Sequence, residues 1–274
     1  MDAVITIISA ERHERIRQFL KDLWDYRELF WTFVERDVKV RYKQTALGVV
    51  WVILQPLFLM GAFSLIFGKI AKMPTDGLPY SLFYLAALVP WNTFAAALSQ
   101  SALSMEANAH LISKVYFPRI VVPGGVVCGS LVDFTIGWTL LNVVSFTQGY
   151  WSIYLILVTP LLLVLQCCTA LGVGLVLAAL NAQYRDVKHV IGFIVQVLML
   201  ATPVIYPASK LPISLQPYIF LNPMAVVIAT YRDILQGDAL RWAMLILAMV
   251  MAGLYLGFGV WFFRKREQRM ADVL

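Results

Sequence analysis

Charge is what this 274-residue chain has least of: Asp, Glu, Lys and Arg together make up 14%, against 60% hydrophobic residues and a mean hydropathy of +0.75. A soluble domain carries about 25% charged residues, so this composition could not furnish the surface of a water-soluble fold. Histidine and cysteine are rarer as residue types, at three each. Cys128, Cys167 and Cys168 all lie inside apolar runs, which suits small buried or lipid-facing side chains better than a disulfide framework or a metal site. No HExxH or CxxC pattern occurs, and there is no carboxylate pair for acid/base work. His13, His110 and His189 fall between the apolar runs, so a membrane-embedded enzyme has no constellation to work with. A GxxxxGK[ST] phosphate loop is missing too, so ATP cannot be bound in that way. Energy for uphill movement would have to come from a separate subunit.

What remains is a chain of long apolar runs. A membrane-crossing helix takes about 20 apolar residues at about 1.5 Å each. Six windows meet or nearly meet that length: 47–68, 80–105, 120–147, 153–180, 190–206 and 243–263. The third contains the one charged residue within a span, Asp133, which could pair with an arginine or accept hydrogen bonds from a neighbouring helix. The fifth is short and is cut by Pro203. The sixth runs into Arg264-Lys265-Arg266. With six crossings, 17 of the 22 Lys and Arg residues fall on the side of the termini, which predicts a multi-pass membrane protein with both termini cytoplasmic. The net charge of +6 is then a topology signal and no reason to invoke nucleic acid. No cleavable signal peptide is expected, because the first 46 residues are rich in charge.

The organisation expected is therefore all-α: a region 1–46, a membrane domain 47–263 and a basic tail 264–274. In the first region Ile16, Phe19, Leu20, Leu23, Trp24, Phe30, Phe33 and Val34 recur at helical spacing opposite Arg12, Arg15, Lys21, Asp22, Asp25 and Glu28. That pattern suits a helix lying in the cytoplasmic interface, with a small cap packed on other loops as the alternative. The loop from Glu106 to Arg119 carries Leu111, Ile112, Val115 and Tyr116 on one face of a short helix stopped by Pro118. Such a helix can dock in a groove of a soluble partner or rest on lipid. Between 207 and 240, prolines at 207, 212, 217 and 223 break the chain into pieces too short to span, with Asn222-Pro223 opening a helix and Gly237 closing it. Two short re-entrant helices before the last span are the expectation. Tyr150, Trp151, Tyr154, Tyr206, Tyr218, Tyr231 and Trp242 cluster near the same mouth, either as an ordinary interfacial belt or as stacking surfaces. Among them Tyr206, Tyr231 and the neighbouring Arg232 are the candidates for lining a channel.

Several strings in this order carry a resemblance. Arg36-Asp37-Val38-Lys39-Val40-Arg41-Tyr42-Lys43 through Gly48, with Trp51 and Leu54-Gln55-Pro56-Leu57, comes first. Leu88-Val89-Pro90-Trp91, Lys114-Val115-Tyr116-Phe117-Pro118-Arg119, Tyr184-Arg185-Asp186-Val187, Thr202 to Pro207 and Leu221-Asn222-Pro223-Met224 follow. Together they resemble the type-2 ABC exporter permeases that handle bacterial surface polysaccharides. The resemblance implies six spans, an interfacial helix, two re-entrant helices, and a homodimer working with two ABC ATPase subunits. ATP and Mg would be bound by those subunits and no cofactor by this chain. It also implies a lipid-linked polysaccharide as cargo, whether O-antigen, capsule or teichoic acid precursor; a drug or small-solute exporter of the same superfamily is the alternative. By the same likeness, Glu106, His110, Lys114, Tyr116, Phe117 and Arg119 belong to a coupling helix that contacts the ATPase. Arg36, Lys39, Arg41, Tyr42 and Lys43 would form a segment beside that contact, and Tyr184, Arg185 and Asp186 the second cytoplasmic loop.

Overall fold

The computed structural model describes residues 21, 24–43, 48–112, 114, 117–184, 186–212 and 214–270. Ile16, Phe19, Leu20 and Leu23 of the expected interfacial face, His13, and Val115, Tyr116 and Arg185 lie outside the described residues. Every regular element among the described residues is helical. Helix α1 (Arg27–Lys43) has Glu28 in its first turn and Arg41 and Lys43 in its last, each at the end of the helix dipole that favours its charge. The first apolar run forms α2 (Gly48–Phe63), which widens into a π-helical stretch over Ser64–Ile70. Helix α3 (Tyr80–Ala107) starts after Pro79 and carries Pro90 within it. A single turn, α4 (Ala109–Ile112), precedes α5 (Val121–Thr147) and α6 (Tyr154–Asn181).

Helix α7 (Val187–Ala201) starts ahead of the expected window 190–206 and ends inside it. It covers only 15 residues, because Thr202 is already extended at φ −100° and ψ 139° ahead of Pro203, whose ring disfavours a helical predecessor. After it come a short turn at Ala208–Lys210, then α8 (Gln216–Ile219) and α9 (Pro223–Gln236). Asn222 caps α9 by accepting the Met224 N–H at 3.0 Å, and Gly237 closes it at φ +77°, a left-handed geometry that glycine adopts freely. Helix α10 (Trp242–Met270) continues straight through Arg264-Lys265-Arg266, since leaving an apolar environment does not oblige basic residues to leave a helix.

Among the described residues five helices are long and apolar enough to cross a membrane, in α2, α3, α5, α6 and α10, and α7 is shorter. They pack very unequally. The apolar window of α3 is 78% buried and forms the centre of the bundle, whereas that of α2 is 6% buried. The closest helix approach is between α6 and α10, where a Cβ at Gly172 would come within 2.5 Å of the Tyr255 carbonyl. Small residues let backbones approach in this way. Gly253 and Gly257, which have the spacing of a packing motif, have nothing within 4 Å. A second apolar cluster, formed by Phe33, Met105, Ile112, Phe117, Leu175 and Phe263 among others, joins α1, the 109–117 turn, α6 and the end of α10.

Candidate functional site

Polar side chains gather at the two ends of the bundle and in one cavity between them. At the end that carries α1, the decisive contact is the approach of α1 to α5. Gly125 and Gly129 leave a groove there: a Cβ on Gly125 would lie 3.0 Å from the Phe33 Cβ, and one on Gly129 would lie 2.6 Å from Asp37 Oδ2. Any side chain would push α1 away. In the groove Arg41 donates to Asp37 at 2.6 Å, to Gln100 of α3 at 2.5 Å, and to Asp133 of α5, while the Tyr42 hydroxyl donates to the other Asp133 oxygen. The lone charge within a span is thus neutralised by a helix some ninety residues earlier in the chain. Burial pushes the Asp37 carboxyl above its ordinary value, opposed by the Arg41 charge beside it. Lys39 pairs with Glu35 on the exposed face of α1, and Lys43 is exposed at its end. Arg36 donates to Asn108 Oδ1 at 2.6 Å and lies over the Phe33 ring at 4.8 Å.

Asn108 sits where α3 turns into α4, so Arg36 ties α1 to the loop expected to meet a partner. Of that loop's candidates, two face inward. Phe117 is 5% exposed and lies against Phe33 with ring centroids 5.8 Å apart. Arg119 donates its backbone N–H to Glu267 Oε1 at 3.1 Å and its guanidinium to the Glu267 carbonyl. Both are therefore internal fasteners in this chain, tying the loop to α1 and to the end of α10. Glu106 accepts from Asn181 at 3.1 Å and from Lys188 at 3.4 Å, joining the loop to the start of α7. His110 and Lys114 are exposed, as is Leu111 at 40%. An apolar hollow of about 240 Å³ is lined by Leu29, Thr32, Phe33, Leu111 and Phe117. In the next loop at this end Tyr184 and Asp186 are both exposed.

Between the ends, α2, α3 and α5 enclose a cavity of about 370 Å³ lined by Trp51, Gln55, Asn92, Thr93, Ser99 and Asp133. Two amides, two hydroxyls and a carboxylate share one hollow between apolar helices. Groups of that kind are costly in hydrocarbon and generally mark a path or a site.

At the opposite end Arg232 of α9 is 7% exposed and makes no ion pair among the described residues, although Asp76 and Asp233 line the same cavity. Its guanidinium donates to the carbonyls of Pro203 at 2.7 Å and Val204 at 2.8 Å, more weakly to those of Phe83 and Tyr206 at 3.4 Å, and lies 3.5 Å from the centre of the Phe83 ring. The Pro203, Val204 and Tyr206 carbonyls belong to the non-helical stretch that follows α7, and that of Phe83 to the first turn of α3. Tyr231 is 1% exposed, with its hydroxyl 3.2 Å from Thr159, which also accepts from Trp138 at 3.0 Å. Tyr231 thus packs within the single chain, and Arg232 gives its donors to the backbone while lining a polar cavity at this end. Tyr206 is half-buried and donates to the Leu200 carbonyl at 2.9 Å. The loop after α2 is strapped over this end, because Asp76 accepts from the Ser209 hydroxyl at 2.9 and 2.8 Å and its carbonyl accepts from Gln236 at 2.7 Å.

Asn108, Gln100, Glu267 and Asp76 are the functional-looking polar residues that pattern alone missed. A Thr75-Asp76-Gly77 turn was the one available signal among them, and Asp76 does adopt φ +52°. No group of three or more potential metal ligands occurs among the described residues.

Residues 28–236 match the family model described as ABC-2 type transporter. The chain belongs to that family. Among curated relatives of this ABC-2 chain, the O-antigen export system permease protein RfbA of Myxococcus xanthus is 27% identical over 261 residues, covering 93% of this chain and 98% of the relative. An RfbA of Klebsiella pneumoniae is 27% identical over 248 residues, covering 90% and 95%. The polysialic acid transport protein KpsM of Escherichia coli is 25% identical over 251 residues, covering 86% and 92%. This ABC-2 chain is thus homologous, over nearly its full length, to permeases of polysaccharide export.

Proposed function

We propose that this chain is the membrane-spanning permease subunit of an ATP-driven exporter that carries a lipid-linked polysaccharide, O-antigen in the first instance, across the bacterial inner membrane. The observation that carries this reading is the end-to-end match to O-antigen export permeases, in which 98% of the Myxococcus relative is covered. The hollow of amides and hydroxyls between α2, α3 and α5 supports it, since a hydrated cargo needs polar walls at the depth of the spans. A capsular polysaccharide is the second reading, favoured by the similarity to KpsM.

In this proposal the termini are cytoplasmic and α7 with its extended end makes a sixth crossing. The chain pairs with a second copy, and α8 and α9 are re-entrant on the outer side. Two ATPase subunits bind ATP and Mg and meet the exposed part of the 106–119 loop at His110, Leu111 and Lys114. ATP draws those subunits together because it binds their closed arrangement more tightly. Arg36, Arg41 and Glu106 then carry the displacement to α1, α5 and α7 through the bonds described above.

The test is deletion of the gene with complementation, scored by surface polysaccharide on gels, together with affinity purification of the tagged chain from gently solubilised membranes. Loss of long-chain polysaccharide from the surface and a co-purifying ATPase are expected. Unchanged surface polysaccharide in the deletion strain would overturn the proposal. Topology is checked by a cysteine in the Met73 to Gly77 loop, which should react with an impermeant reagent added from outside.

A further inference from the structure

The end of the bundle opposite α1 contains a second polar cavity, of about 360 Å³, whose chemistry differs from that of the spans. That volume lies within the about 300–1,000 Å³ typical of small-ligand sites. Its polar walls come from four places in the chain: Asp76 from the loop after α2, Ser209 and Gln216 from the stretch after α7, Asp233 and Gln236 from α9, and Arg241 ahead of α10. The charges cancel, with Asp76 and Asp233 set against Arg232 and Arg241. Arg232 is spent on backbone carbonyls, and Arg241 is held by Asp233 at 3.0 Å. A free metal ion or a phosphate would each find its attraction already answered within the wall.

Hydrogen bonding narrows the ligand further. Gln216 is anchored through its amide nitrogen, which donates to the Leu211 carbonyl at 3.1 Å, and Gln236 through its own, which donates to the Asp76 carbonyl at 2.7 Å. Both amides therefore keep their Oε1 oxygens as acceptors without a donor among the described residues, and Asp233 keeps Oδ2 in the same state. The Asp76 carboxylate holds only one hydroxyl, from Ser209, shared between its two oxygens. The wall thus presents several acceptors, from Gln216, Gln236, Asp233 and Asp76, beside the remaining N–H donors of Arg241, which gives one bond to Asp233. A neutral ligand bearing several hydroxyl groups, each both donor and acceptor, satisfies such a mixed set, whereas a phosphate, an acceptor only, leaves the four acceptor side chains without donors.

We propose that this cavity is a saccharide-binding site, holding a sugar unit of the exported chain through hydroxyls donated to Gln216, Gln236, Asp233 and Asp76. It rests on the export reading above and adds a place where the emerging glycan is held.

The test uses the full chain with its co-purified ATPase in lipid nanodiscs. The probe is the oligosaccharide released by mild acid from the producing cell's own surface polysaccharide, titrated by calorimetry and by saturation-transfer NMR. Saturable binding is expected, weakened at least tenfold in the Gln216→Leu/Gln236→Leu double variant. Ser209→Trp, which fills the cavity by volume and removes no buried partner, should abolish it. Tyr218→Ala, altering an exposed side chain that does not line the cavity, should leave it unchanged. Failure of the wild-type protein to bind, or equal binding by the double variant and Ser209→Trp, overturns the site. Displacement of the oligosaccharide by an equal concentration of glycerol phosphate would assign the cavity to a lipid headgroup and also overturn it. The deletion strain separates the two levels of inference. If that strain loses its surface polysaccharide while the purified protein binds no oligosaccharide, the site alone falls; if it keeps its polysaccharide, the export reading falls with it.

Discussion

Arg41 and Arg232 each stand at one end of the bundle and join helices distant in sequence, but they are held in different ways. Arg41 is gripped by side chains, the carboxylates of Asp37 and Asp133 and the amide of Gln100, and stays about a fifth exposed. Arg232 is gripped by main-chain carbonyls around the break after α7 and is almost wholly buried. A side-chain network of one arginine and two carboxylates can exchange partners as helices shift, at little cost while water reaches it. Backbone carbonyls in a non-helical stretch offer no second arrangement, and without their donor they stay unsatisfied. The end bearing α1 is thus fastened by side chains and the other end by backbone carbonyls.

Removing the fixed fastener should have the largest effect. Arg232→Met keeps the length of the side chain and strands the carbonyls of Pro203 and Val204. At about 1–3 kcal/mol for each buried group left unsatisfied, the loss should reach about 3 kcal/mol or more. Arg232→Lys should recover only part, because one ammonium cannot reproduce a planar fork that serves several carbonyls. Thermal unfolding of the purified chain in nanodiscs checks this; equal melting temperatures for wild type and Arg232→Met would break the contrast between the two ends.

At the other end the effect should be smaller and local. Asp133→Leu leaves Tyr42 without its acceptor and Arg41 with Asp37 and Gln100, at a cost of about 2 kcal/mol. Asp133→Asn, which retains an acceptor for Tyr42, should cost about half of that. The readout that distinguishes a local clasp from global stability is limited proteolysis of α1, which should accelerate in Asp133→Leu well before the bundle melts. Uniform loss of all helices at once would mean that the clasp is as rigid as the carbonyl cage.

The same contrast explains what was legible beforehand. Apolar runs announce helices, and all five long ones lie where the windows put them. Yet α2 is the more apolar of α2 and α3 and by far the less buried, because apolar residues serve equally against lipid, a second chain or a neighbouring helix. The start and stop of α9 could be read from Asn222-Pro223 and Gly237, whose preferences are local. Asp133 could be read as a charge in need of an arginine, but nothing local names Arg41, ninety residues away. Phe117 and Arg119 are ambiguous for a related reason: an aromatic and a cation in a polar loop suit a partner's groove as well as they suit Phe33 and Glu267 of the same chain. The carbonyl partners of Arg232 are hidden likewise, because sequence does not display the non-helical stretch after α7 to which Pro203 and Val204 belong.

The smallest expected effect sharpens the comparison through pH. Asp37 is pushed above the ordinary carboxylate value by burial, so the native chain holds that proton more tightly than the unfolded one. Its contribution is then most favourable at low pH and is lost as pH rises through the interval between the ordinary and the raised value; above that interval the ionised form bears a constant cost. Asp37→Asn removes the titration while leaving Arg41 its bond to Asp133, so the net change at pH 7 should stay within about 0.5 kcal/mol. Melting temperatures of wild type and Asp37→Asn, followed from pH 4 upward, should therefore separate progressively in favour of the variant and then run parallel. A separation of the opposite sign would mean that Arg41 outweighs burial at Asp37, and the α1 clasp would be a tighter ion pair than its partial exposure implies.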